Sequence, residues 1–194
     1  MNNKRNLLFV DTETTGLDAD KFEIIDLAAV LTTPDNKTVL SSLEVKFRME
    51  RPDVAEKKAL EVNGYNEIDW APEKCASDRN TVALQLLKMA DDAVLIGHNV
   101  SFDERFLTTF LARLNHKPNW HYHKIDTVVL AWPLVISGKA KWLRLGDVCE
   151  ALGIKQTRAH SAMGDVESCR AVYTALLDFY MRSFDQPYMV GGPS

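Results

Sequence analysis

The chain has 194 residues, of which 46% are hydrophobic and 26% charged, with a formal charge of −4 at pH 7. That length supports one domain with a sizeable core, and no apolar run approaches the roughly 18 residues of a membrane span. The charge does not exclude a nucleic-acid partner, because a total conceals its distribution and counts carboxylates that a bound metal would neutralise.

The first stretch, Asn6 to Leu17, reads N-L-L-F-V-D-T-E-T-T-G-L. Its apolar run Leu7 to Val10 predicts a strand buried on both faces that delivers Asp11 at its end. Asp11 and Glu13 share a side by the two-residue period, and the turn holding Gly16 lets backbone approach a ligand. Two such carboxylates repel by about 4 kcal/mol at an effective dielectric near 20, which a cation would relieve. The start M-N-N-K-R-N runs straight into this strand and shows no signal-peptide pattern.

Glu23 to Thr33 and Thr38 to Phe47 read as a second and third strand joined by a turn at Pro34 to Lys37, completing a meander. Asp26 inside the second strand is read first as a hydrogen-bonded structural acid and second as a metal ligand. Asp53 to Gly64 predicts a short helix stopped by Asn63-Gly64, and Pro72 to Ala90 ends in a clearer helical pattern. Ala93 to Gly97 is a short buried strand ending on His98 and Asn99.

Ser101 is expected to cap a helix whose Phe102, Phe106 and Phe110 form an apolar stripe, with Asp103 in its first turn. His121 to Asp126 reads as a strand, followed by a helical run to Ile136 in which Pro133 implies a kink or an early start. Ser137 to Arg144 carries Lys139, Lys141 and Arg144 with no acid, and its Trp142 either packs or stacks a base. Leu145 to Leu152 is a short helix. Ser161 or His160 opens the last long helix, with an apolar face from Val166 to Tyr180 and Asp165 in its first turns. The expected organisation is one domain over residues 1–182 and a flexible tail over 183–194.

Cys75, Cys149 and Cys169 are odd in number and widely spaced, so a reducing, cytoplasmic setting is expected without a disulfide framework or zinc site.

Three acid-bearing segments stand out: D11-T-E13, H98-N-V-S-F-D103 and H160-S-A-M-G-D165. The pair D-x-E alone is expected about once by chance in this composition, but D-T-E-T-T-G on the order of 10⁻⁵ times. H-N-x-x-F-D is expected about once in a thousand such chains, so the ordered set is a strong signal.

With these motifs the chain resembles, from about Asn6 to Tyr180, the DnaQ-like (DEDDh) 3′–5′ exonucleases, which include polymerase proofreading subunits, ribonuclease T and oligoribonuclease. The resemblance implies an α/β, ribonuclease H-like fold: a mixed five-stranded sheet flanked by helices. It implies that Asp11, Glu13, Asp103 and Asp165 bind two Mg²⁺, with Mn²⁺ able to substitute, and that His160 is the general base. It also implies that Thr14 backbone, Leu17, Asn99 and Phe102 contact the terminal nucleotide; for Leu17 and Phe102 ordinary packing is the competing reading. His98 is read as structural. Asp26, Ala28 and Asn63-Gly64 depart from the Glu, Gly and His-Gly that many relatives carry there.

Four acids around two divalent cations neutralise to zero, and a histidine with a pKa near 6.5 suits proton removal at neutral pH. Residues 137–160 hold five basic groups, Lys139, Lys141, Arg144, Lys155 and Arg158, against Asp147 and Glu150, which leaves +3 beside the third motif. The expected activity is hydrolysis of terminal phosphodiesters of single-stranded DNA, or RNA 3′-end trimming as the alternative, releasing nucleoside 5′-monophosphates. Expected partners are a DNA or RNA 3′ end and a polymerase or other replication or repair protein, with no membrane. A phosphomonoesterase using Asp11 as nucleophile fits the later motifs poorly. A catalytically silent nucleic-acid-binding module is the alternative of another class.

Overall fold

The computed structural model describes residues 4–158 and 160–184. Strands β1 (Leu7–Thr14), β2 (Ile24–Thr32) and β3 (Val39–Lys46) form the meander; β4 (Val94–Gly97) and β5 (Lys124–Asp126) complete one five-stranded sheet in the order β3-β2-β1-β4-β5. The meander is antiparallel, whereas β4 runs parallel to β1 and β5 parallel to β4. The sheet is therefore mixed, as the resemblance implied, and its parallel half ends where the acid-bearing segments meet.

Among the described residues the α-helices are α1 (Lys57–Val62), α2 (Arg79–Ala90), α3 (Val100–Arg113), α4 (Thr127–Ile136), α5 (Leu145–Ala151) and α6 (Ala162–Phe184). The two-residue period of β1 sorts its side chains. Leu8 and Val10 pack with Leu86, Phe106 and Leu107 on the α2–α3 side, while Leu7 and Phe9 pack with Val166, Cys169 and Tyr173 of α6. Burial on both faces explains the unbroken apolar run of the sequence. A smaller cluster, Ala131, Val148, Cys149, Val172 and Leu176, joins α4, α5 and α6.

Several boundaries differ from the sequence expectation. β1 does not stop at Asp11 but continues to Thr14, because β2 keeps pairing with it past both acids. Ser101 is not the cap of α3: Asn99 is, with φ 74°, and its N–H donates to the Asp126 carboxylate at 3.0 Å. The helix ahead of Asn63 starts after Glu56 rather than at Asp53, and Asp78 caps α2, leaving Pro72–Lys74 as a separate 3₁₀ turn. Of the expected His121 to Asp126 strand, Lys124–Asp126 is the part that forms β5, although the His121 N–H still donates to the Ala93 carbonyl at 2.8 Å. Pro133 lies inside α4. α6 runs to Phe184, past the boundary expected at residue 182, and the rest of the expected tail, from residue 185, lies outside the described residues. Among the described residues no helix is long and apolar enough to cross a membrane.

Candidate active site

The period that sends Leu7 and Phe9 toward α6 sends Asp11 and Glu13 the same way, and α6 presents Asp165 from its first turn. Asp11, Glu13 and Asp165 bring one carboxylate oxygen each within 4.8 Å of one another. Across the ladder Ala28 lies opposite Asp11, where its small side chain leaves room, and Asp26 lies opposite Glu13.

Thr12 points to the other face, and there it meets Asp103. The Thr12 N–H and hydroxyl donate to Asp103 Oδ1 at 2.9 and 2.8 Å, and Asp103 is 4% exposed. Asp103 is thus tied to the strand between the two acids of β1 and stands outside the tight trio.

The segment before α6 is tightly folded. Ser161 Oγ donates to the Arg158 carbonyl at 2.8 Å, and the Asp165 N–H donates to the Ser161 carbonyl at 3.0 Å. A Cβ on Gly164 would meet the Arg158 carbonyl oxygen at 2.0 Å, so a glycine is required for this loop to close on the helix. His160 has φ 63°, a left-handed conformation costly for a side-chain-bearing residue, and is exposed. Asp26, opposite Glu13 on β2, is 2% exposed, and its Oδ1 is buried without a hydrogen-bond partner among the described residues. The hydrogen bonding expected of a structural acid is thus missing at that oxygen.

The electrostatics are those of a cation site. Burial, then the carboxylates of Asp103, Glu13, Asp165 and Asp26, holds the Asp11 pKa well above the ordinary range. Burial and the neighbouring Asp165, Asp26 and Asp103 push Glu13 to about 7. Burial pushes Asp103 to about 7 against the opposing Thr12 hydrogen bonds, and it raises Asp165 against the influence of His160. An all-oxygen, like-charged donor set fits a hard divalent ion, whose charge would remove the repulsion.

His160 and Asp165 line one cavity of about 390 Å³ with Arg144, Asp147, Glu150 and Gln156. Lys139 instead lines an apolar groove with Leu130, Leu134 and Phe179, and Lys141 is exposed. Arg144 is therefore the member of the basic stretch that shares a cavity with the site. Leu17 is 75% exposed and lines a cavity of about 500 Å³ with Asp18, Glu104 and Arg105, so its side chain is not committed to the core. Phe102 is half-buried against Phe106, with ring centroids 4.9 Å apart, and packs on the main core. Asn99 is exposed at the start of α3.

Burial lowers the His98 pKa, and its ring is committed: Nε2 lies 2.6 Å from the Leu143 carbonyl and Nδ1 lies 2.9 Å from the Thr127 hydroxyl. It anchors the basic stretch, as a structural histidine would.

Three residues at the site escaped the sequence reading. Thr12 carries no sequence signal of its own between the two acids. Glu23 braces the turn: its carbonyl accepts the Thr15 N–H at 2.9 Å, its N–H donates to the Thr15 hydroxyl at 3.1 Å, and its Oε1 accepts the Glu50 and Arg51 N–H groups at 2.8 and 3.0 Å. Asn63, read in the sequence as a helix stop and as a departure from the relatives' His-Gly but not as part of the site, donates from its side chain to the Thr14 carbonyl at 2.7 Å. Its departure from the His-Gly of many relatives was the available signal.

Residues 8–173 match the RNase_T family model, whose description is Exonuclease. The chain is 26% identical over 169 residues to the PolC-type DNA polymerase III of Thermotoga maritima, covering 87% of this chain and 12% of that protein. It is 24% identical over 169 residues to the oligoribonuclease of Legionella pneumophila (strain Corby), covering 78% of this chain and 89% of that one. Its fold is that of E. coli exonuclease I solved with a dT13 oligonucleotide: TM-score 0.76, 20% identity, 93% of this chain and 43% of that chain. The chain thus spans about an eighth of the polymerase and under half of exonuclease I. With the family match running from β1 into α6, through all three acid-bearing segments, the chain belongs to the RNase_T exonuclease family.

Proposed function

We propose that the chain is a metal-dependent 3′–5′ exonuclease that hydrolyses the terminal phosphodiester of single-stranded nucleic acid and releases nucleoside 5′-monophosphates. The observation that carries this reading is the convergence of Asp11, Glu13 and Asp165 within 4.8 Å, in a chain of the exonuclease family. Asp11, Glu13, Asp165 and Asp103 would hold two Mg²⁺, or Mn²⁺ in their place. Bound there, the ions supply Lewis-acid stabilisation of the charge that builds on the phosphoryl oxygens. His160, exposed on the wall it shares with Asp165, takes the proton of the attacking water. Thr14 backbone, Leu17, Asn99 and Phe102 hold the last nucleotide, and Arg144 steers the backbone toward the cavity, helped by Lys139 and Lys141 at longer range.

DNA is the first choice of strand, with a polymerase or other replication or repair protein as partner and the cytoplasm as setting. RNA 3′-end trimming is the second reading, favoured by the alignment that covers 89% of the Legionella oligoribonuclease. The test is a time course on 5′-labelled DNA and RNA oligonucleotides with Mg²⁺ or EDTA, each ending in a 3′-hydroxyl or a 3′-phosphate. Shortening from the hydroxyl end, only with metal, supports the reading, and the faster strand fixes the sugar. Equal loss of both ends, or cleavage of a circular strand, overturns it.

A further inference from the structure

Helix α1 contributes no buried residue to the core, yet the backbone on one side of it and a side chain on the other grip the turn that follows the acid pair. The Glu56 N–H donates to the Thr15 carbonyl at 2.8 Å, and Asn63 Nδ2 donates to the Thr14 carbonyl at 2.7 Å. Asn63 is 8% exposed, which makes it a buried amide with a specific partner. Its position is fixed by the helix end: the Asn63 N–H returns to the Ala59 carbonyl at 3.0 Å, Gly64 follows at φ 63°, and the Tyr65 N–H returns to the Leu60 carbonyl at 2.9 Å. A left-handed glycine with these return bonds is a rigid C-terminal cap.

The turn needs such a brace. The β1–β2 register shifts between Glu13 and Thr14, so regular ladder bonding is broken immediately after the second acid. From there Asn63 serves the Thr14 carbonyl, Glu56 the Thr15 carbonyl, and the Thr14 hydroxyl the Gly16 carbonyl at 2.7 Å. Gly16 itself is pressed against Phe22, whose ring a Cβ would meet at 2.5 Å. All three carbonyls from Thr14 to Gly16 are held from within, and the path of the chain into Leu17 is set.

We propose that Asn63, together with the Glu56 amide, is a positioning residue for end recognition. Acting through the backbone of Thr14 and Thr15, without touching substrate, it holds the turn in the shape that accepts a nucleotide with a free 3′-hydroxyl. This rests on the exonuclease reading above.

The experiment compares wild type with Asn63→Leu and Glu56→Pro on single-stranded oligonucleotides ending in 3′-hydroxyl or 3′-phosphate. Leucine is close to asparagine in size and lacks the donor. Proline removes the Glu56 N–H at an exposed position whose φ of −78° lies within the range that proline adopts, so this variant tests the same grip with the core and Asn63 intact. In both variants KM for the hydroxyl-ended strand should rise about tenfold while kcat stays within about twofold, and the preference for hydroxyl over phosphate ends should fall by a similar factor. A purely structural loss would lower the amount of active enzyme and leave KM and the end preference unchanged, and that result would overturn the proposal. If Asn63→Leu fails to fold, Glu56→Pro decides alone. A wild-type protein that does not shorten strands from the 3′ end would overturn the exonuclease reading, and this proposal with it.

Discussion

Asp11 and Asp165 are costly to keep charged side by side, and that cost makes them useful to a cation. Asp11→Asn and Asp165→Asn should each reduce nuclease turnover to background. In EDTA the same variants should melt no lower than wild type, since each removes repulsion and no core volume. Activity above a few per cent in a well-folded variant would remove that residue from the site. His160→Ala should lower kcat by about 10²- to 10⁴-fold with Mg²⁺ affinity little changed, as read by single-turnover rates and metal titration. The acids and His160 were legible because short, improbable strings carry them. Asn63 and Thr12 were not, because their partners are set by the fold: Thr14 is 49 positions from Asn63, and Asp103 is 91 from Thr12.

Elements follow the sequence where local chemistry decides and depart from it where a neighbouring strand does. The apolar run of β1 announced a doubly buried strand, but its continuation through Thr14 depends on β2 beside it. The start of α3 was misplaced because the Asp126 carboxylate, arriving from β5, fixes Asn99 in a left-handed conformation ahead of Ser101. The approach to α6 is equally exacting. Gly164→Ala forces a Cβ to within 2.0 Å of the Arg158 carbonyl, so the loop carrying His160 must move. The expected cost is about 1 to 3 kcal/mol of stability, seen as a lower midpoint in urea, with a larger loss of kcat than that midpoint shift explains. The basic stretch was legible as charge and not as geometry. Arg144→Ala should reduce the slope of log affinity against log salt by about 0.7, whereas Lys139→Ala, beside the apolar groove, should change it less. Equal effects would move the strand's path toward Lys139.

At the scale of the whole molecule the acid cluster couples stability to pH and metal. Glu13 and Asp103 titrate near 7 and Asp26 near 6 in the folded chain, all raised above ordinary carboxylates chiefly by burial. The metal-free folded state therefore binds more protons than the unfolded chain between the ordinary carboxylate range and about pH 7, and its stability falls as pH climbs through that window. Melting temperature in EDTA should drop from about pH 5 to about pH 8, and millimolar Mg²⁺ should offset the drop. A flat profile in EDTA would contradict the like-charged site. The fold class was legible through the family resemblance that the three motifs carry, and the mixed five-stranded sheet agrees with it. The position of the last motif has a further consequence for a chain in the act of being made. Asp11 and Glu13 on β1 and Asp103 on α3 are made before Asp165 on α6 and His160 immediately ahead of it, which follow all five strands. On the exonuclease reading proposed above, a growing chain would hold three of its four metal ligands and lack both the fourth and the base until α6 is made, so its chemistry would stay off until the last element of the site is in place.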